Sequence, residues 1–443
     1  MSIQADGVAA QPLEALIDRA PITPIQAAVV LLCTAVTFVE GVDLNLIPLL
    51  APSIARAWSI PAAQFGAIFS AGPIGLIIGG FGVGWFADRF GRRAALLGAL
   101  VVMTLATLAT AWTRDTAQLM ICRVVTGVGF GGVVPAAAAL VSEFLPTRTR
   151  ASVVAFVILG QAVGGLAASL LMKTDLAGVW WQTTILYMSV ACALTTLLLF
   201  IGLPESPRYL LLKQAGSPRT ARTLRRLRIT ETPAAPTLPA SGGQVKALFS
   251  DGRALGTCLL WAVFIGICAP VSFFTSWLPL IYTAAGHPAA DGISAASSYW
   301  TGSIIGGLVL PLFCARWNVN VVLMAVVAAA AASCVALGSA LGLADTANLT
   351  LAFACGVFIS GAFYLMYPPA VRFYPTAVRS TGIGAAVAFG RIGNTLSPLA
   401  AGFMLSAGYL PRSVFWAMAL PLSLSLFALV LFHRLTRGLE PAR

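Results

Sequence analysis

Charge is what this chain has least of. Of its 443 residues only 15 are Asp or Glu and 27 are Lys or Arg, against 58% hydrophobic. A solvated globular surface needs about a quarter of its residues charged, so a soluble domain is excluded. Histidine is nearly missing: His287 and His433 sit in or near loops, too peripheral for proton transfer. No Gly-Lys-Ser/Thr follows the glycines of residues 127–132, which leaves an ATP-driven pump without a phosphate cradle. The eight cysteines (Cys33, Cys122, Cys192, Cys258, Cys268, Cys314, Cys334 and Cys355) lie in apolar runs without paired spacing. That distribution excludes both a disulfide framework and a zinc site. The first 25 residues are polar, with Asp6, Glu14 and Asp18, and carry no secretory signal.

Long apolar runs take the place of charge. Twelve are long enough to cross a bilayer core of about 30 Å: residues 26–50, 62–86, 93–112, 117–141, 149–172, 182–203, 254–283, 292–315, 319–342, 348–371, 378–408 and 411–433. The predicted class is an all-α integral membrane protein. With both termini cytoplasmic, 21 basic residues fall on the inner side, and only Arg56, Arg114, Lys173 and Arg412 fall outside. The positive-inside rule therefore sets the orientation, in a cell inner membrane. The net charge of +12 then reflects topology and contact with the lipid bilayer, with no nucleic acid as partner.

Residues 204–253 interrupt the pattern with a proline-rich stretch, "ETPAAPTLPASGG", and a basic one, "PRTARTLRRLR". Five segments follow: an N-terminus (1–25), a six-helix bundle (26–203), a central loop (204–253), a second bundle (254–433) and a tail (434–443). The halves echo one another. "EFLPTRTRAS" at 143–152 aligns with "RFYPTAVRST" at 372–381, matching Phe144, Pro146, Thr147 and Arg150 to Phe373, Pro375, Thr376 and Arg379. Internal repeats of six helices mark secondary transporters.

Charges inside the spans locate a site. "TFVEGVDLNL" places Glu40 and Asp43 three residues apart, hence on a shared helix face. At about 1.5 Å per residue they lie roughly 21 and 26 Å from the inner end of the first span. Arg123, in the fourth span, and Arg391, in the eleventh, fall within the same central layer. Ions at that depth face a cavity and one another, not lipid. Arg391 suits a substrate carboxylate or a structural ion pair; Arg123 suits pairing with Asp43 or direct substrate contact. Glu40 or Asp43 is the expected proton carrier, with permanent ionisation beside Arg123 as the other possibility for Asp43. Gln161, nearly repeat-equivalent to Arg391, and Asn394, one turn beyond it, add hydrogen-bonding groups. Trp277, Tyr299, Phe363 and Tyr367 are candidate ring-stacking residues, although packing alone also accounts for such residues.

Between the second and third spans runs "GWFADRFGRRAAL", residues 84–96. This pattern resembles the signature loop of the major facilitator superfamily. The resemblance implies twelve transmembrane helices in two pseudo-symmetric six-helix bundles, with Asp88 latched to the start of the eleventh helix near 378–381. Arg89, Arg92, Arg93, Glu143 and Arg150 would complete the gate. The second half has Ala315 where the acid would sit, so one latch is expected.

A closer resemblance rests on "LIDRAPITPIQ" (16–26), "EGVD" (40–43), "RVVTGVGFGGVVP" (123–135), "SEFLPTRTR" (142–150), "PESPRYL" (204–210) and "FGRIGNTLSP" (389–398). Together they resemble the aromatic acid:proton symporter family. Its first-helix signature is Asp-Gly-x-Asp, and Glu40 departs from it by one methylene. The resemblance implies import of a small aromatic carboxylate such as a hydroxybenzoate by a monomer, with the proton as coupling ion and no other cofactor. Carriage of non-aromatic carboxylates and export of anions or drugs stay open. No hydrolase or redox constellation points to an enzyme, and neither terminus is long enough for a signalling domain.

Overall fold

The computed structural model describes residues 11–173, 180–231, 233–234, 245–341, 345–375 and 378–436. The proline-rich part of the central loop from 235 to 244, and Thr376 of the repeat, lie outside them. Twelve long helices make up the bundle: α1 Pro24–Trp58, α2 Phe65–Phe90, α3 Arg92–Thr110, α4 Thr116–Phe144, α5 Thr147–Leu171 and α6 Trp181–Gly202 in the first half. The second half holds α7 Ala254–Ala284, α8 Ala289–Phe313, α9 Val319–Ala340, α10 Thr346–Phe373, α11 Arg379–Ser406 and α12 Pro411–Thr436. α10 contains a π-helical turn at Gly356–Ser360, and α12 breaks at Met418.

Eleven of these helices are long and apolar enough to cross a membrane. The exception, α11, spans 28 residues but carries Arg391, Asn394, Thr395 and Ser397. It is sheltered between α7 and α2, which is how a polar helix is accommodated at membrane depth. α1 also departs from expectation, running through Pro48 and Pro52 to Trp58 beyond the predicted end at 50. Neighbouring helices let a membrane helix tolerate proline.

Glycines set the close crossings, and they repeat. A methyl group at Gly75 or Gly79 of α2 would strike the Val124 or Val128 carbonyl of α4; one at Gly302 or Gly306 of α8 would strike Phe353 or Val357 of α10. Each member is displaced by 227 or 229 positions between the halves. Gly164 on Phe38 of α1 corresponds likewise to Gly393 on Ile265 of α7. The halves are thus pseudo-symmetric in their contacts. The "PT–R" repeat has a structural counterpart too: Arg150 donates to the Leu145 carbonyl at 3.1 Å and Arg379 to the Tyr374 carbonyl at 3.2 Å. Each satisfies a carbonyl at the end of the preceding helix.

The halves meet along the ends of α2 and α11 farthest from the Gly91 turn. Gly66 abuts Pro398 and Gly402, and Ser70 donates to the Thr395 carbonyl at 2.7 Å. Elsewhere the Trp300 ring of α8 lies on Gly165 of α5. Toward the arginine-rich end, substituent positions at Gly82 and Gly84 on α2 and Gly384 on α11 meet open space.

Candidate functional site

Glu40 and Asp43 share helix α1 but not a partner. Three residues turn an α-helix by about 300°, leaving the side chains roughly 60° apart. That divergence takes them to different neighbours. Thr107 Oγ1 of α3 lies 3.2 Å from both carboxylate oxygens of Asp43. One turn on, Thr110 accepts from Arg123 Nη2 of α4 at 3.1 Å, and Thr126 accepts at 3.3 Å. Asp43 and Arg123 are thus held by separate threonines one turn apart on α3, and no ion pair within 4 Å joins them. Both are buried inside the first half, among α1, α3 and α4.

Glu40 turns instead toward α5. Gln161 Nε2 approaches its Oε1 at 3.5 Å, a long contact, and Oε2 is buried with no hydrogen-bond partner among the described residues. Gly41 brings the helices together here: a methyl group on it would strike the Gln161 backbone. The glycine between the two acids thus fixes the approach of the amide to Glu40.

Arg391 projects from α11 into the other half. Its Nη1 donates to the Leu76 carbonyl of α2, and its guanidinium fills the space beside Gly80. Cys268 and Tyr367 lie within its electrostatic reach. Tyr367 packs edge-on to Phe264 at 5.6 Å and to Phe363 at 6.0 Å. Asn394 gives its carbonyl to Ser272 at 2.8 Å, while its Oδ1 is buried and unpartnered among the described residues. The central layer is therefore split: Arg391 sits at the seam between halves, Glu40 beside α5, and Asp43 and Arg123 within one half.

The aromatic candidates also divide. Tyr299 is enclosed within the second half, stacked on Phe274 at 5.4 Å with its hydroxyl accepting from Ser360 at 3.2 Å. Trp277 is fully buried against Phe69 of α2, with centroids 5.3 Å apart. Trp300, adjacent in sequence to Tyr299, also crosses to the other half, one turn beyond Gln161. Sequence reading favoured Tyr299 over it. The distinguishing signal was the small residue opposite, Gly165, which no local pattern connects to position 300.

At the arginine-rich end, Asp88 pairs with Arg92 at 2.9 Å and is 76% exposed. No hydrogen bond or ion pair joins it to α11 among the described residues, so the expected latch is not formed in this arrangement. Arg92 also reaches Glu143 at 3.4 Å, and Glu143 accepts from Ser206. Arg93 offers its backbone N–H to Glu205 at 3.0 Å and its side chain to the Phe200 carbonyl at 2.6 Å. Gly91, at φ 105°, makes the turn in the left-handed region, with Glu205 where a Cβ would lie. Arg89 lies over the Trp85 and Phe90 rings at 5.6 and 5.7 Å.

The short helix Leu13–Arg19 docks against this end through Leu13, Leu16 and Ile17. Asp18 accepts from the Thr147 backbone N–H at 2.6 Å and hydroxyl at 2.8 Å, capping α5. Those two bonds, helped by Arg150 and Arg148, hold its carboxyl below the usual range.

Two helical bundles enclosing charged groups at membrane depth are the construction of a solute carrier. The chain belongs to the Major Facilitator Superfamily, whose family model matches residues 33–371. It is 29% identical over 427 residues to the 4-hydroxybenzoate transporter PcaK of Pseudomonas putida, covering 93% of this chain and 94% of that one. Identity to the 3-(3-hydroxy-phenyl)propionate transporter of Escherichia coli (strain K12) is 31% over 377 residues, covering 85% and 86%. Among solved structures, a D-xylose-proton symporter superposes with a TM-score of 0.71 at 16% identity, over 91% of this chain and 97% of that one. The structural likeness shows the fold; the curated relatives carry aromatic acids.

Proposed function

We propose that this protein is a proton-coupled symporter that imports a small aromatic carboxylate, such as a hydroxybenzoate, by alternating access. The observation that carries the reading is Arg391: a guanidinium at the seam between halves whose one hydrogen bond among the described residues goes to a backbone carbonyl. An ionised carboxylate is the stronger acceptor, and two parallel bonds to guanidinium would orient it. Trp300 supplies aromatic surface where α8 meets α5, and Tyr367, edge-on to Phe363, adds a ring pair in the second half. The 4-hydroxybenzoate and 3-(3-hydroxy-phenyl)propionate transporters among the relatives support an aromatic acid as cargo.

Glu40 is the proton carrier in this scheme. Burying an ionised carboxylate with one oxygen unpartnered is costly, and protonation removes that cost. Asp43 stays ionised, held by Thr107 near Arg123. With the arginine-rich end cytoplasmic, in an inner membrane, the close contacts of Gly66 and Ser70 with α11 lie on the outer side, as an inward-facing carrier requires. One proton with a monoanion is electroneutral and draws only on the pH gradient, about 1.4 kcal/mol per unit. A second proton would add roughly 2.3 kcal/mol per 100 mV.

Uptake of labelled 4-hydroxybenzoate into oriented proteoliposomes tests the proposal. An inward proton gradient should drive accumulation; Glu40→Gln should abolish it while sparing exchange, and Arg391→Ala should abolish both. Gradient-independent uptake, or unchanged accumulation by Glu40→Gln, would overturn the proton assignment.

A further inference from the structure

The contact between Arg391 and α2 raises a question of its own. A carrier that releases an anion leaves a guanidinium without its partner in a protein-enclosed seam, and an unpaired enclosed charge is strongly unfavourable. Here that charge is met by the other half. Arg391 Nη1 donates to the Leu76 carbonyl, and the guanidinium occupies the volume that a side chain at Gly80 would take. The turn is supported from behind: a methyl at Gly131 of α4 would strike both the Gly80 amide and the Leu76 carbonyl. Leu76 and Gly80 are one helical turn apart, so a single turn supplies both the acceptor and the clearance.

We infer that the Leu76–Gly80 turn is a built-in stand-in for the substrate carboxylate. It holds Arg391 in the empty carrier and so lets the seam of Gly66, Ser70, Thr395 and Gly402 close without cargo. Gly80 is a positioning residue, acting through Arg391. When a carboxylate arrives, the guanidinium exchanges a neutral acceptor for a charged one, and hydrogen bonds to the charged partner are roughly twice as strong. The stand-in matters most when the empty carrier reorients, which net uptake requires and substrate exchange bypasses. The inference rests on Arg391 as the carboxylate-binding group only where cargo is involved.

Hydrogen exchange on the full-length protein in nanodiscs tests it. In the empty protein, Gly80→Ala should speed exchange of the seam segments 65–72 and 398–405 by about fivefold or more. In an Arg391→Ala background the same substitution should add nothing. Saturating 4-hydroxybenzoate should restore protection to Gly80→Ala, whose net uptake should fall about tenfold while exchange transport stays within about twofold. Unchanged seam exchange, an equal increase without Arg391, or parallel loss of uptake and exchange transport would overturn the stand-in. Arg391→Lys, which keeps the charge but loses the planar fork, serves as the second variant: it too should loosen the empty seam, and an unaltered seam would overturn the inference. Should 4-hydroxybenzoate not bind the wild-type protein, the aromatic-acid reading fails, while the empty-protein comparisons still decide the role of Gly80.

Discussion

Thr107 donates to Asp43 midway through the first half, its hydroxyl 3.2 Å from each carboxylate oxygen. The acid is thereby held on α3, with Thr110 doing the reciprocal service for Arg123. Replacing Thr107 by Val removes a donor to a buried carboxylate and should cost about 1–3 kcal/mol, read by thermal unfolding in detergent. Thr107→Ser, which keeps the hydroxyl, should cost less than about 1 kcal/mol. A larger loss in Thr107→Ser than in Thr107→Val would mean that packing of the methyl group, and not the hydrogen bond, holds this layer.

The repeated glycine crossings predict paired outcomes. Gly79→Ala and Gly306→Ala each drive a methyl group into an opposing carbonyl, Val128 and Val357 respectively. Both should destabilise by about 1–3 kcal/mol or more through overpacking. Gly82→Ala and Gly384→Ala meet open space and should be neutral or stabilising by up to about 1 kcal/mol. Thermal unfolding of the four variants separates the groups; a neutral Gly306→Ala would argue against the pseudo-symmetric contact.

Trp300 and Tyr299 are neighbours with opposite expectations. Loss of the seam-facing ring in Trp300→Ala should raise the KM for 4-hydroxybenzoate uptake roughly tenfold, the scale of one aromatic contact. Tyr299→Phe loses only the Ser360 hydrogen bond and should leave KM within about twofold. Initial-rate uptake by both variants checks this, and a reversed order would move the aromatic wall into the second half.

Docking of the N-terminal helix should depend on pH. The Asp18 carboxyl is held below its ordinary value by the Thr147 backbone and hydroxyl donors. Its contribution is therefore present above the unfolded value, near 4, and is lost as pH falls through the depressed folded value. Limited proteolysis within residues 11–23 should accelerate at acid pH in the wild type. Asp18→Ala should be equally labile at neutral pH, with little further change on acidification.

Much of the fold is legible in the chain. Run length and the scarcity of charge locate all twelve spans to within a few residues at most ends, because the bilayer admits few alternatives to a helix. α1 and α11 show where that reasoning stops. Proline does not end a helix supported by neighbours, and a helix lined with Arg391, Asn394 and Thr395 needs shelter that its own composition cannot reveal. Glu40, Asp43, Arg123 and Arg391, which stand out in the sequence as charges within apolar runs, lie in buried or half-buried positions along their helices.

By itself the sequence determined membrane embedding, the number of helices and the internal repeat. Each follows from local composition or spacing. Only the tertiary structure decided the partners: Asp43 with Thr107, Glu40 with Gln161, Arg391 with Leu76, and Trp300 instead of Tyr299 at the seam. Periodicity sets how far along a helix a side chain lies. The neighbour it meets around the helix depends on glycine crossings between segments a hundred or more residues apart in many cases, and those are set by packing of the whole bundle.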